Sequence, residues 1–311
     1  MKVLFVASGN KDVGTVSAFV QSQFESLREA GLTMLLLPIK GHGWLSYLGA
    51  ISRLRRIVRE EHPDVVHAHY SLCGVVAAFA TLGTDTKVVV SVLGSFPKRS
   101  FKLEWVRFFI KRVWDATIVK SERTASQVGI KVSVIPNGVD LEKFVVVDSA
   151  LARERCGFEE GKKYVIWCSN PSRPEKNYKL AKSAVDTIND DNLCLVPVYN
   201  KAHDLMVDYM CGADVLLLTS FNEGSPNVIK EALACNCPIV STDVGDVRHV
   251  TEGIEGVYIV KDGTVEGVAD SLTDALSFGK RTNGRERLIQ LGLSNVDVAY
   301  RIVQLYKTVV S

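Results

Sequence analysis

The chain has 311 residues, 47% apolar and 23% charged, a length and balance that exclude a single small core and fit two domains of a globular protein. Nine prolines and 23 glycines leave no room for a long disordered tract, and no stretch approaches the roughly 20 apolar residues of a membrane-spanning helix. The net charge of +2 is split: residues 1–145 carry 19 Lys+Arg against 12 Asp+Glu, and residues 146–311 carry 18 against 23, so the two halves are expected to meet different partners.

In chain order, the run at 3–7 is too short for the apolar core of a secretory leader and reads as a buried first strand. Further β-branched runs at 33–38, 64–68, 87–92, 116–119 and 132–135 read as strands. Helical patterns at 16–30, 45–60 and 101–114 lie between them. Near-continuous apolar strands alternating with helices predict a parallel, doubly wound α/β sheet. The turn cluster Ile135-Pro136-Asn137-Gly138-Val139-Asp140 closes this series. A second series follows, with strands at 163–168, 193–198, 215–219, 238–242 and 256–260 and helices at 179–189 and 227–235. A long amphipathic segment at 296–309 ends the chain. Two sheets are therefore expected, with the boundary near residues 138–146. Seven cysteines are scattered without zinc spacing, as expected of small buried hydrophobes in a reducing, cytoplasmic compartment.

Ligands of open parallel sheets bind at the carboxyl ends of the strands. The first such loop, Gly9 to Thr15, has the glycine spacing of a phosphate loop but no lysine after Gly14. Nor does it fit the dinucleotide fingerprint. ATP hydrolysis and NAD binding lose their best evidence here. Gly14 and Thr15 remain candidates for lining a cleft.

The most informative segment runs from Ser220 to Cys235. Pro226 is expected in the first turn of a helix, where its missing N–H costs nothing, with the amides of Asn227 and Val228 ready for a phosphate. Glu223 in the loop and Glu231 in the helix can each accept hydroxyl hydrogen bonds, a geometry suited to a sugar at one end and a ribose at the other. Upstream, Arg173 and Lys176 can neutralise a diphosphate, one as a planar fork and one as a compact charge.

Glu223 to Glu231, followed by Ala232 and by Pro238-Ile239-Val240-Ser241-Thr242-Asp243-Val244-Gly245, resembles the donor-site signature of retaining glycosyltransferases of family 4. Asp64-Val65-Val66-His67-Ala68-His69, the 135–140 turn, the Arg173/Lys176 loop and the end of the last helix extend the resemblance along nearly the whole chain. It implies the GT-B fold, two facing Rossmann-like domains with parallel sheets. Residues 1–140 would bind the acceptor, with helix 296–311 packing back on them, and residues 141–295 would bind the nucleotide sugar. Arg173 and Lys176 would hold the pyrophosphate and stabilise the leaving diphosphate. Glu231 would hold the ribose and Glu223 the transferred sugar. Gly224, Ser225, Pro226, Asn227 and Val228 would line the donor site with backbone amides, and Tyr199 would border the nucleobase. No metal and no separate cofactor are implied, because the nucleotide sugar is itself a substrate.

Two departures stand out. The family's His-Gly pair after the fourth strand is here Leu93-Gly94, followed by Ser95 and Phe96, which leaves Gly94 and Ser95 as cleft candidates and removes a histidine from the sugar. His69 could substitute in part, although both His67 and His69 are expected to be structural and satisfied by backbone. The second domain also lacks a strand–helix unit, so that 197–201 would run directly into the next helix. On the acceptor side, Phe101, Trp105 and Phe108 recur at helical spacing and are expected to pack on the first sheet. The interleaved Lys98, Arg99, Lys102, Arg107, Lys111 and Arg112 are expected to meet an anionic membrane surface, and no nucleic-acid module accompanies them.

The expected activity is transfer of a sugar from a UDP- or GDP-sugar to a saccharide or lipid-linked acceptor with retention, in cell-surface polysaccharide or glycolipid synthesis, on the inner face of the membrane. A sugar-nucleotide hydrolase or epimerase, and a non-catalytic nucleotide-binding subunit, remain as alternatives.

Overall fold

The computed structural model describes residues 1–9, 16–41, 43–94, 96, 101–201 and 205–311. The chain divides into two compact units, one of Met1–Gly138 with Asn295–Ser311 and one of Val139–Ser294.

The first unit alternates strand and helix: β1 Lys2–Ser8, α1 Ala18–Glu29, β2 Thr33–Ile39, α2 Gly43–Glu61, β3 Val65–His69, α3 Ser71–Ala80, β4 Lys87–Val92, α4 Phe101–Arg112, β5 Ala116–Val119, α5 Glu122–Val128 and β6 Ser133–Val134. The strands form one parallel sheet in the order β2-β1-β3-β4-β5-β6. Strand order reverses between β1 and β3, which opens a crevice at their carboxyl ends. Residues 3–7 and 65–69 are buried throughout, because helices cover both faces and alternation has no solvent side to serve.

The second unit holds α6 Ser149–Cys156, β7 Lys163–Trp167, a 3-10 turn Pro174–Lys176, α7 Tyr178–Ile188, β8 Leu193–Pro197, α8 Leu205–Gly212, β9 Val215–Leu218, α9 Asn227–Ala234, β10 Ile239–Ser241, α10 Val247–Thr251, β11 Val257–Ile259, α11 Val265–Phe278 and α12 Gly284–Gln290. Its parallel sheet runs β11-β10-β9-β7-β8. Here the reversal falls between β7 and β9, so the loops leaving those two strands flank the crevice.

The chain ends in α13, Asn295–Val310, which belongs to the first unit. Val298, Ala299, Ile302 and Tyr306 are buried in one apolar cluster with Val3, Phe5 and Ile118. Tyr306 Oη lies 2.5 Å from His67 Nδ1, and Ser91 Oγ lies 2.8 Å from His67 Nε2. His67 is thus satisfied by side chains and not by backbone as expected, because its ring points out of β3 toward α13. Burial, the neighbouring His69 and Lys120 push its pKa well below the ordinary value, so the ring is neutral. Tyr306→Phe leaves one buried ring nitrogen without its partner. It should cost about 1–3 kcal/mol, read as a fall in chemical-denaturation midpoint; an unchanged midpoint would remove His67 from the account of how α13 is held.

Candidate functional site

The loop after β7 is sewn to the end of β9. Trp167 Nε1 donates to Thr219 Oγ1 at 3.0 Å, Thr219 Oγ1 sits 3.0 Å from the carbonyls of Lys176 and Asn177, and the Phe221 amide donates to the Glu175 carbonyl at 3.0 Å. Asn177 turns the chain with φ of 55°. The turn projects Lys176 toward the second loop, where Nζ lies 2.5 Å from Glu223 Oε1, with side chains only 18% and 17% exposed. Shielding from water makes such a contact stronger than a surface ion pair. Two residues singled out for different roles, 47 apart in sequence, therefore meet at the switch point. Arg173 does not join them: it is 56% exposed and pairs with Glu175 at 2.6 Å.

Pro226 is the residue before α9, with φ of −68° and ψ of 117°, one position earlier than expected. Its extended backbone turns the chain into the helix. The first amides of any α-helix lack an intrahelical acceptor, and the N-cap residue Pro226 makes no side-chain cap bond to them. Gly224, Ser225 and Pro226 are buried, while Asn227 and Val228 are half-buried.

Beneath this loop lies a network that sequence reading missed. Lys230 Nζ is 2.5 Å from Ser225 Oγ and 3.0 Å from Asp246 Oδ2, and Ser225 Oγ donates to the same carboxylate oxygen at 2.7 Å. Lys230 is fully buried and the Asp246 side chain is 4% exposed. Gly245 completes the brace. At φ of 58°, a Cβ there would lie 2.6 Å from the Gly224 carbonyl oxygen, so only glycine allows the two loops to touch. The sole sequence signal for this network was a lysine inside an apolar helix face.

Glu231 follows on α9. Burial pushes its carboxyl up to about 7, against a smaller opposing pull from Lys230 and Lys143. Tyr199 stands beyond the end of β8, 42% exposed. Among the described residues no group of three or more His, Cys, Asp or Glu could hold a metal ion.

In the first unit, Gly14, Thr15 and Ser95 lie outside the described residues, as do Lys98 and Arg99. Gly94 has φ of 89° with open space at its missing Cβ. His69 is fully buried and, contrary to expectation, neither ring nitrogen has a hydrogen-bond partner. It stacks on His67 at 4.5 Å and touches Phe5 at 4.6 Å. Burial, aided by Lys120, lowers its pKa to about 3. The aromatics of α4 divide. Trp105 and Phe109 pack on the core, but Phe101 and Phe108 are 89% and 58% exposed. Leu103 and Val106 occupy the inward phase of the helix instead. Arg107 is held by the carbonyls of Val128 and Gln127 and by Glu104, not by solvent. No helix among the described residues is long and apolar enough to cross a membrane.

Comparison with known proteins places this geometry. TuaC of Bacillus subtilis, assigned as a glycosyltransferase of teichuronic acid biosynthesis, is 25% identical over 247 residues, 69% of this chain and 62% of TuaC. The match therefore spans about three fifths of that relative. Sucrose-phosphate synthase from Thermosynechococcus elongatus superposes with a TM-score of 0.82 at 16% identity, covering 99% of both chains. Anabaena HepE, solved in complex with UDP, gives 0.77 at 15% identity over 99% of this chain and 100% of that one. These likenesses establish the fold, two parallel-sheet Rossmann-like domains of the GT-B kind. Residues 17–143 match the sequence profile of Glycosyltransferase Family 4 and residues 152–277 that of Glycosyl transferases group 1. The chain belongs to the family 4 glycosyltransferases.

Proposed function

We propose that this chain transfers a sugar from a UDP- or GDP-sugar to a saccharide or lipid-linked acceptor, with retention and without a metal, in the synthesis of a cell-surface polysaccharide or glycolipid. The observation that carries the reading is the Lys176–Glu223 contact at the switch point of the second unit, beside the start of α9. A nucleoside diphosphate sugar offers anionic oxygens to Lys176 and to the start of α9, and hydroxyls to Glu223 and Glu231. Arg173, freed from the exposed Glu175, swings onto the outer phosphate. As the glycosidic bond breaks, negative charge grows on the leaving diphosphate, and the fixed cations and amides stabilise it. Nothing further is required of a divalent ion or cofactor. The first unit binds the acceptor. The exposed Phe101 and Phe108 with Lys102, Lys111 and Arg112 on α4 rest on an anionic cytoplasmic membrane surface. TuaC and the UDP complex of HepE support the cell-surface and UDP parts of this reading.

Millimolar UDP or GDP should raise the melting temperature of the wild type, since a ligand that binds only the folded state stabilises it. Lys176→Ala removes a charged hydrogen bond of about 1.5–3 kcal/mol, so its affinity should fall roughly ten- to a hundredfold. If neither nucleotide stabilises the wild type, the donor reading fails, and the nucleotide-binding subunit fails with it.

A further inference from the structure

We infer that the second unit carries a separate saccharide pocket at the carboxyl ends of β9, β10 and β11, with Phe221 as its stacking platform and Ser220, Asp243 and Asp262 as its polar wall. The pocket has a volume of about 280 Å³, and Lys176, Glu223 and Glu231 are not among the residues that line it. The inference goes beyond the donor reading and stands on different side chains.

Four observations converge there. Phe221 lines the pocket while remaining 70% exposed, an aromatic face with no covering in its own unit. Ser220 is 1% exposed, and among the described residues its Oγ has no hydrogen-bond partner. Its neighbours differ: Thr219 Oγ1 is engaged by the Lys176 and Asn177 carbonyls, and Thr242 Oγ1 donates to the Ser220 carbonyl. A buried hydroxyl left without a partner costs free energy unless a ligand or water completes it. The wall is acidic. Asp243 Oδ2 takes Arg248 at 2.9 and 3.0 Å. Asp262 Oδ1 takes the amide and hydroxyl of Thr264 at 3.1 and 2.8 Å, and these bonds hold the carboxyl below its usual pKa range.

The chemistry selects the ligand class. An aromatic face receives the C–H side of a pyranose, and carboxylates accept its hydroxyls. Lys261 on the same wall adds a donor for a hydroxyl or ring oxygen. The volume is below the ~300–1,000 Å³ of drug-sized ligand sites and suits one sugar ring. A neutral hexose unit of a saccharide chain fits all three conditions.

The test uses saturation-transfer NMR titrations of the purified chain with methyl glycosides of glucose, galactose and N-acetylglucosamine, with uridine as the competing flat ligand. At least one glycoside should bind the wild type and Lys176→Ala alike. Phe221→Ala should weaken that glycoside about tenfold, and Asp243→Asn should weaken it as well. Phe221 is at the surface, so the melting temperature of Phe221→Ala should stay close to wild type; Asp243 is half-buried and paired with Arg248, and its variant is compared with Phe221→Ala at matched folded fraction. Absence of glycoside binding, binding that survives Phe221→Ala, loss in Lys176→Ala, or Phe221-dependent binding of uridine in preference to sugar would each overturn the proposal. UDP-induced stabilisation measured on the same samples reports on the donor reading separately.

Discussion

Lys230→Met is expected to destabilise the second unit by about 3–5 kcal/mol, the cost of removing one partner from a buried ion pair. The methionine fills the space of the lysine stem, so little of the loss comes from a cavity. It comes from Asp246, whose carboxylate is left in a dry site with only Ser225 Oγ as a donor. The loop that carries Asp246 must then shift to bring the carboxylate to water. For a unit of this size each kcal/mol corresponds to ~2–4 °C, so the calorimetric transition should fall by on the order of 10 °C. The double variant Lys230→Met with Asp246→Leu replaces the pair by apolar side chains, which is often neutral or stabilising, and should recover more than half of the loss. It should not recover nucleotide binding, because Ser225 has lost its bonds to Lys230 and Asp246 and the 223–226 loop is held less firmly. A fall below about 1 kcal/mol in the single variant would show that the pair is dispensable. Recovery of UDP stabilisation in the double variant would show that the network is structural only.

The alternation of strands and helices was legible because parallel strands buried on both faces leave apolar runs that need no alignment to recognise. Reading failed where periodicity failed. The segment that forms α3, Ser71 to Ala80, is apolar nearly all round, so it shows neither the strand nor the helix period. In the site, Lys176, Glu223 and Glu231 could be picked out because charged groups in strand-to-helix loops and helix starts have few other uses. The contact between Lys176 and Glu223 could not, since it depends on how Thr219 and Phe221 stitch one loop to the next. Arg173 was read as a cleft residue from its type and spacing and from the family resemblance. Its nearest carboxylate is two residues away, and that local pairing takes it outward. Lys230 was hidden for the opposite reason: a helical lysine reads as a solvated charge until Asp246, 16 residues on, is found beneath it.

Glu231 offers the sharpest test of whether that geometry serves recognition. Its carboxyl is raised from 4.5 to about 7, with burial as the main cause. Below pH 4.5 the carboxyl is protonated in both folded and unfolded chains and contributes nothing to pH dependence. Between 4.5 and about 7 the unfolded chain ionises while the folded chain keeps its proton, so stability falls as pH rises. Above about 7 both forms are ionised and the penalty is constant, at most about 3 kcal/mol from the size of the shift and less to the extent that water reaches the half-buried side chain. Glu231→Gln cannot ionise and escapes this penalty. The variant should therefore melt several degrees above the wild type at pH 8, and the difference should vanish near pH 4.5. In the same variant nucleotide affinity should fall about tenfold, since the amide replaces one of two acceptor oxygens with a donor. A more stable protein that binds less tightly is the signature of a group retained for its ligand. A variant less stable than wild type at both pH values would instead make Glu231 a structural member of α9, and the ribose contact would lose its physical basis.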